Sequence, residues 1–513
     1  MKRIVNKAKL SKERAIVSLS MLMIAVLGST GPALSDTSRP NIVVMLSDNL
    51  GYGEIGAYGG GMTRGVPTPR LNQLAREGTR YTNFNVEAEC TPSRSALMTG
   101  RLPIRSGTGR AGIPGFPQGL APWEYTMAEM LSEKDYRTAI FGKWHLGDSK
   151  GRYPTDQGFD EWWGFPFSTG VVYRFDALGY EGNEDQWPHI VRSVRDGPIE
   201  NVALYNREMR GRMDELIAEQ SVNYIKAAGE HEEPFFLYVA WSLMHHPYVP
   251  NPEFAGSTGV GDFGDMMAEH DFRVGQVLDA LKEAGLSENT IVIYASDNGP
   301  DPAEYPTVSN SGAYRGYLGS AYEGSIRTPM IIRAPGFAPG NRSTDELVSI
   351  LDFFPSIATL TGASAPKDRA YDGVDQSGLF FGDTPTSNRD HVITFLGEKL
   401  MAVKWKQFKV FFTGDDPTPT SRVHDDLWAH KIYNVQQDPR EEVDIFGQST
   451  WMLPFAYEPV LRLAGSLYQY GAVKTGADFR STVEFTIPPA LNSSEDVRRV
   501  LLKLQERQKR DTE

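Results

Sequence analysis

The sequence predicts an α/β fold: a large, mainly parallel sheet covered by helices on both faces, followed by a smaller C-terminal α/β domain with an antiparallel sheet. Three observations lead there. From Asn41 to about Phe395, short unbroken apolar runs alternate with amphipathic stretches, the pattern of strands buried on both faces and of helices that cover them. Beyond Phe395 the pattern changes to LMAVKWKQFKVFFTG and IYNVQQDP, which read as antiparallel strands. Finally, 513 residues at 40% hydrophobic content exceed what one core holds, since single cores stop growing near roughly 250–300 residues.

Taken in order, the chain opens on Lys2, Arg3, Lys7, Lys9, Lys12 and Arg14 ahead of the apolar run AIVSLSMLMIAVLG, with small residues at Ala33-Leu34-Ser35. Residues 1–35 read as a secretory signal peptide; the other reading, an uncleaved anchor, needs about 20 apolar residues. Residues 36–395 follow as the main domain. NIVVML, RTAIF, PFFLYVAW, NTIVIYAS and PMIIRAPG are its apolar strands. PRLNQLARE, the stretch around MAEMLSE, EQSVNYIKAA, HDFRVGQVLDALKEAG and ILDFFPSIATL carry helical apolar spacing. Residues 396–513 form the small domain and end in the charged helix SEDVRRVLLKLQERQKR.

Charge and composition exclude some functions. The formal charge is −13, and loss of a leader with six basic residues and one acid takes it to −18, a surface that repels nucleic acid. No later stretch is apolar enough to span a bilayer, so a soluble periplasmic or secreted protein is expected. Export permits disulfides, yet Cys90 is the only cysteine.

Ligands in open α/β sheets collect at the carboxyl ends of the strands. Polar residues follow three strands there: Ser47-Asp48-Asn49, His245-His246 and Ser296-Asp297-Asn298-Gly299. Asp48, Asn49, Asp297 and Asn298 offer only oxygen ligands, the preference of a hard cation such as calcium. Cys90 stands in CTPSRSALMTGR, at or just before a helix that Gly100 closes, where free amides favour an anion and Arg94 adds a fixed charge. On these grounds alone Cys90 is either a buried small hydrophobe or a reactive group.

CTPSRSALMTGR resembles the sulfatase signature C-x-P-S-R-x-x-x-L-T-G. DNLGYGE at 48–54, GKWHLG at 142–147, PTDQGFDEWWGFPFS at 154–168, DNGP at 297–300 and YNVQQDPREE at 433–442 are similar to further segments of that family, in the same order. The resemblance implies an alkaline-phosphatase-like fold and hydrolysis of sulfate monoesters. It implies that a formylglycine-generating enzyme oxidises Cys90, and that the hydrated formylglycine attacks sulfur. Metal ligands carried over are Asp48, Asn49, Cys90, Asp297 and Asn298, with calcium the expected ion and magnesium a substitute. Asn49 stands where most relatives have a second aspartate, so a weaker metal site is expected.

By the same resemblance, Arg94 and Lys143 hold the developing charge. His145 takes the proton that releases the covalent sulfate, which suits a side chain titrating near neutrality. His245, two before Pro247, is the leaving-group acid; His246 is its partner or simply exposed. In an extended segment, Lys143 and His145 project to one face. Ser168 matches a sulfate-contacting position, or is an exposed loop serine. Leu318 occupies the place of a sulfate-binding lysine; Arg315 is the nearest replacement cation, or a surface residue. Trp123, Trp162, Trp163, Trp187 and Tyr173 either stack on substrate or pack. The implied substrate is a sulfated small molecule or saccharide. A phosphate or phosphonate ester hydrolase is the alternative within the superfamily, and an inactive secreted binding protein the alternative outside enzymes.

Overall fold

Unbroken apolar strands need cover on both faces, and the centre of the fold supplies it. A computed structural model describes residues 39–176, 187–301, 309–414 and 426–482. In chain order the strands are β1 (Asn41–Ser47), β2 (Thr79–Tyr81), β3 (Phe84–Asn85), β4 (Arg137–Lys143), β5 (Glu161–Phe165), β6 (His189–Val194), β7 (Glu200–Leu204) and β8 (Phe235–Ala240). β9 (Thr290–Ser296), β10 (Met330–Arg333), β11 (Arg342–Thr344), β12 (Val348–Ser349), β13 (His391–Leu396), β14 (Lys399–Trp405), β15 (Phe408–Thr413), β16 (Asp426–Asn434), β17 (Ala472–Val473) and β18 (Arg480–Ser481) follow. The main sheet runs β11-β2-β10-β9-β1-β8-β4-β5-β6-β7.

Its middle strands, β9, β1, β8, β4 and β5, are mutually parallel. Ile42, Val44 and Leu46 of β1 enter one apolar layer while Val43 and Met45 enter the other. β8 divides likewise, with Phe236 and Tyr238 on one side and Leu237 and Val239 on the other, as the twofold alternation of a strand demands. The first layer is completed by the helices Cys90–Thr99, Met127–Ser132, Phe353–Thr361 and Leu453–Tyr470, the second by Pro69–Glu77, Arg207–Ala228 and Asp262–Glu283.

The antiparallel pairs lie toward the edges. β10, the expected PMIIRAPG strand, runs antiparallel to both β9 and β2. β6 and β7 extend the far edge and are mixed polar and apolar, HIVRSV and ENVAL, so they carry no long apolar run to reveal them. A separate antiparallel sheet, β13-β14-β15-β16, opens at His391. Its Phe395, Leu400, Val403 and Val410 belong to the same buried cluster as β1. Residues 1–35 and the terminal charged helix lie outside the described residues. No helix among the described residues is long and apolar enough to cross a membrane.

Candidate active site

Neighbouring parallel strands end together, and their carboxyl ends meet on one rim. Asp48 and Asn49 follow β1, Asp297 and Asn298 follow β9, Lys143 closes β4, and His245 lies five residues beyond β8. Asn49 takes φ 59°, a left-handed conformation that asparagine tolerates, and its backbone N–H donates to Asp297 Oδ1 at 3.1 Å. The two DN pairs are thereby tied to each other.

Cys90 is the first residue of the helix Cys90–Thr99, which Gly100 closes at φ 65°. Its Sγ lies 3.4 Å from Asp48 Oδ1 and 3.6 Å from Asn49 Oδ1. Burial, with Asp297 and Asp48 adding to it, pushes the thiol well above its ordinary range despite Lys143 and Arg94. As a thiol this side chain is a poor nucleophile, since the thiolate is the reactive form.

Two buried cations face the two buried carboxylates. Lys143 Nζ donates to Asp48 Oδ2 at 2.7 Å. Arg94 gives Nε and Nη2 to Asp297 Oδ2 at 3.0 and 2.8 Å, and Nη1 to the Lys143 carbonyl and the Tyr238 hydroxyl. Burial alone would raise the Asp48 carboxyl, but Lys143, His245 and Arg94 outweigh it and hold Asp48 far below the usual carboxylate range. For Asp297 burial wins, and its carboxyl is raised although Arg94 opposes.

His145 reaches the site by a different route from the extended segment expected: its φ is 57°, so the backbone turns over directly after β4. Its carbonyl accepts from Thr91 Oγ1 at 2.8 Å, while both ring nitrogens are buried without a hydrogen-bond partner. Burial, then Lys143 and Arg94, keep this ring well below its ordinary pKa. His245 points Nε2 at Ser168 Oγ, 3.2 Å away, and Nδ1 at the His246 carbonyl, 2.6 Å away. Burial pushes it down to about 3 against the pull of Asp48.

Ser168 therefore belongs to this group. Arg315 does not join it: its guanidinium donates to the Glu441 carbonyl at 3.1 Å and lies 4.2 Å from the Tyr322 ring centre. The Leu318 loop does border the site, because Leu318 N–H donates to the Pro300 carbonyl and Gly319 N–H to the Ala88 carbonyl. Trp162 is core, and Trp123 lies under Arg369 at 3.9 Å. Tyr173 stands beside His246, with ring centres 5.6 Å apart.

Three partners escaped the sequence reading. Thr169 Oγ1 donates to Asp48 Oδ2 at 3.0 Å, Tyr238 accepts from Arg94, and Asp301 pairs with His246 Nδ1. Only Asp301 had a visible signal, a second acid within DNGPD.

The donor set fits a divalent cation. Asp48, Asn49, Asp297 and Asn298 are oxygen-bearing, buried and convergent around Cys90, and Asn298 Oδ1 is buried with no hydrogen-bond partner. An orphaned carbonyl oxygen in such a place suits an ion that takes only oxygen ligands.

Comparison with known proteins agrees with this geometry. The family described as Sulfatase matches residues 40–363. Human (Homo sapiens) arylsulfatase A is 36% identical over 439 residues, 80% of this chain and 83% of that protein. The N-acetylgalactosamine-6-sulfatase of Canis lupus familiaris is 33% identical over 404 residues, 77% of this chain and 75% of its own. The crystal structure of PsFucS1 sulfatase from Pseudoalteromonas sp. superposes with a TM-score of 0.80 at 29% identity, covering 85% of this chain and 92% of that one.

Proposed function

The chain belongs to the sulfatase family and is a sulfuric ester hydrolase, and from that premise we propose that it cleaves sulfate monoesters with a formylglycine made from Cys90, at a site loaded with calcium. The observation that carries this reading is the convergence of both DN pairs, Lys143 and Arg94 on a single buried cysteine whose thiol form is unreactive. Asp48, Asn49, Asp297 and Asn298 would hold the divalent cation, calcium or alternatively magnesium, which would supply positive charge for an anionic ester. Oxidised to formylglycine, position 90 supplies the nucleophile in place of the thiol.

The remaining side chains have separable tasks. Lys143, anchored on Asp48, presents an ammonium to the sulfate. Arg94 is fully buried and acts by positioning: it holds Asp297 with two donors and adds fixed positive charge behind it. His145 is uncharged at neutral pH, and its unpartnered ring nitrogens suit it to take a proton from residue 90. His245, oriented by Ser168 and the His246 carbonyl, faces the leaving oxygen. Burial keeps it uncharged, and an anionic ester bound against it would raise its pKa and let it carry a proton to that oxygen.

The substrate is a sulfated small molecule or saccharide, in line with the arylsulfatase and amino-sugar sulfatase among the relatives. Residues 1–35 act as an export signal, which gives a periplasmic or secreted protein and a formylglycine-generating enzyme as its maturation partner. Mass spectrometry of the tryptic peptide Tyr81 to Arg94, from cells containing that enzyme, should find an aldehyde in place of the thiol. Fully active protein with unmodified cysteine would sink the mechanism.

A further inference from the structure

The segment that carries His245 is neither helix nor strand, so its place depends on what holds its buried backbone groups. Asp48 holds it through main-chain bonds: Asp48 N–H donates to the Leu243 carbonyl at 2.8 Å, and Met244 N–H to the Asp48 carbonyl. The helix Arg207–Ala228 holds it through side chains. Arg210 gives Nη2 to the His245 carbonyl at 2.8 Å and Nη1 to Ser242 Oγ at 3.1 Å. Asp214 Oδ1 accepts from the N–H of Ser242 at 3.0 Å and of Leu243 at 3.4 Å, while its Oδ2 accepts from the Ser242 hydroxyl.

Helical spacing puts Arg210, Gly211, Asp214 and Glu215 on one face of that helix. Gly211 lets the face come close, since a Cβ there would lie 3.2 Å from Val249 Cγ1. Glu215 Oε2 accepts from Asn251 Nδ2 at 3.1 Å farther along the same segment. Arg210 and Asp214 are 1% and 2% exposed and form an ion pair at 3.8 Å. Burying two charges is costly, and apolar side chains of similar volume would pack a helix against a loop at least as well. What the charged pair adds is direction, because each of its bonds fixes a named backbone or hydroxyl group.

We infer that Arg210 and Asp214 are positioning residues for the leaving-group acid: they fix the backbone from Ser242 to His245 so that the His245 ring meets the leaving oxygen, without touching substrate themselves. The inference rests on the role given to His245 above. The ring's own bonds, to Ser168 and the His246 carbonyl, set how it turns. The Arg210 bond to the His245 carbonyl sets where its backbone stands. Misplacing a reacting group by about 1 Å costs about a hundredfold in rate, so a clamp far from the chemistry has a kinetic effect.

The test uses mature metal-loaded enzyme and aryl sulfates of graded leaving-group acidity, from 4-nitrophenyl sulfate to esters of poorly acidic phenols. Arg210→Lys keeps the charge but cannot span the two acceptors that the planar guanidinium bridges. Ser242→Ala removes the hydroxyl shared by Arg210 and Asp214 with little change of volume. Each should lose at least about tenfold more in kcat on the least acidic leaving group than on 4-nitrophenyl sulfate, with KM little changed. In a His245→Ala background the same substitutions should cost nothing further on that ester, a result that general destabilisation would not produce. Equal losses across the series overturn the inference, as do undiminished rates in both variants or losses that persist in the His245→Ala background. A His245→Ala enzyme with no added dependence on leaving-group acidity would overturn the role of His245 itself, and wild type inert on every sulfate ester would overturn the sulfatase reading.

Discussion

At the scale of single residues, the informative position is Asn49. Its side chain bridges opposite partners: Oδ1 accepts from Asn298 Nδ2 at 2.7 Å, and Nδ2 donates to Asp301 Oδ2 at 3.4 Å. An aspartate there would keep the first contact and set two carboxylates against each other at the second. Asn49→Asp should therefore lower Tm in chelated protein and show a larger rise in Tm on adding calcium than wild type does. Equal rises in both proteins would remove Asn49 from the ligand set. His245 gives a second prediction. His245→Ala should slow esters of poorly acidic alcohols at least about a hundredfold, the low end for a general acid, and activated aryl sulfates far less. Equal losses on both would move the acid elsewhere, with His246 and its Asp301 partner next. What was legible at this scale was whatever lay within one short segment. CTPSR, the DN pairs and the GKWHLG pair each announce themselves in sequence. Thr169, Tyr238 and Asp301 act on residues between 55 and 144 positions away, and no local pattern encodes such a bond.

At the scale of elements, two buried acids behave in opposite ways, one between the sheets and one beside the Cys90–Thr99 helix. Glu323 receives Lys404 of β14 at 2.6 Å, Lys409 of β15 at 3.3 Å and Arg327 at 3.4 Å. Burial would raise this carboxyl, but the cations, Lys404 foremost, hold it low. Glu323→Ala leaves Lys409 its second partner, Glu441 at 3.0 Å. It takes from buried Lys404 its only carboxylate among the described residues, leaving it the Asn83 and Asn85 amide oxygens, and should cost about 3–5 kcal/mol, read from the urea midpoint. A loss below about 1 kcal/mol would mean that Lys404 relaxes to water. Glu87, just before the Cys90–Thr99 helix, is the reverse case. Burial, then Asp372, push it up to about 8 against Arg389. Folded protein thus keeps a proton that the unfolded chain releases near its ordinary 4.5, so stability falls as pH rises from there to about 8 and levels off above. Glu87→Gln should remove that fall, its Tm advantage over wild type growing between pH 5 and pH 8; a pH-independent difference would reject the assignment. The sequence foretold four of the five parallel core strands, β1, β4, β8 and β9, because each is a continuous apolar run, but not β5, whose EWWGF is short and opens on a charge. It did not foretell the edge, where HIVRSV and ENVAL mix charge with apolar residues, nor that the small sheet opens at His391, since β13 is as apolar as the strands before it.

At the scale of the whole molecule, the site is a region of balanced charge in an acidic protein. Asp48 and Asp297 are matched by Lys143 and Arg94, all four with fully buried side chains, so the buried group is neutral before any ion binds. Chelation should accordingly abolish turnover while leaving the far-UV circular dichroism intact and shifting Tm by only a few degrees. Collapse of the fold on chelation would show that the ion holds the rim together. With a divalent ion in place the same pit carries two positive charges, the sign that draws an anionic ester through an otherwise repelling surface. This self-matching of lysine to one aspartate and arginine to the other has a consequence for where such a protein can wait. Surroundings depleted of divalent ions would silence it without condemning it to unfolding and proteolysis, and a fresh supply of the ion would return the same molecules to work.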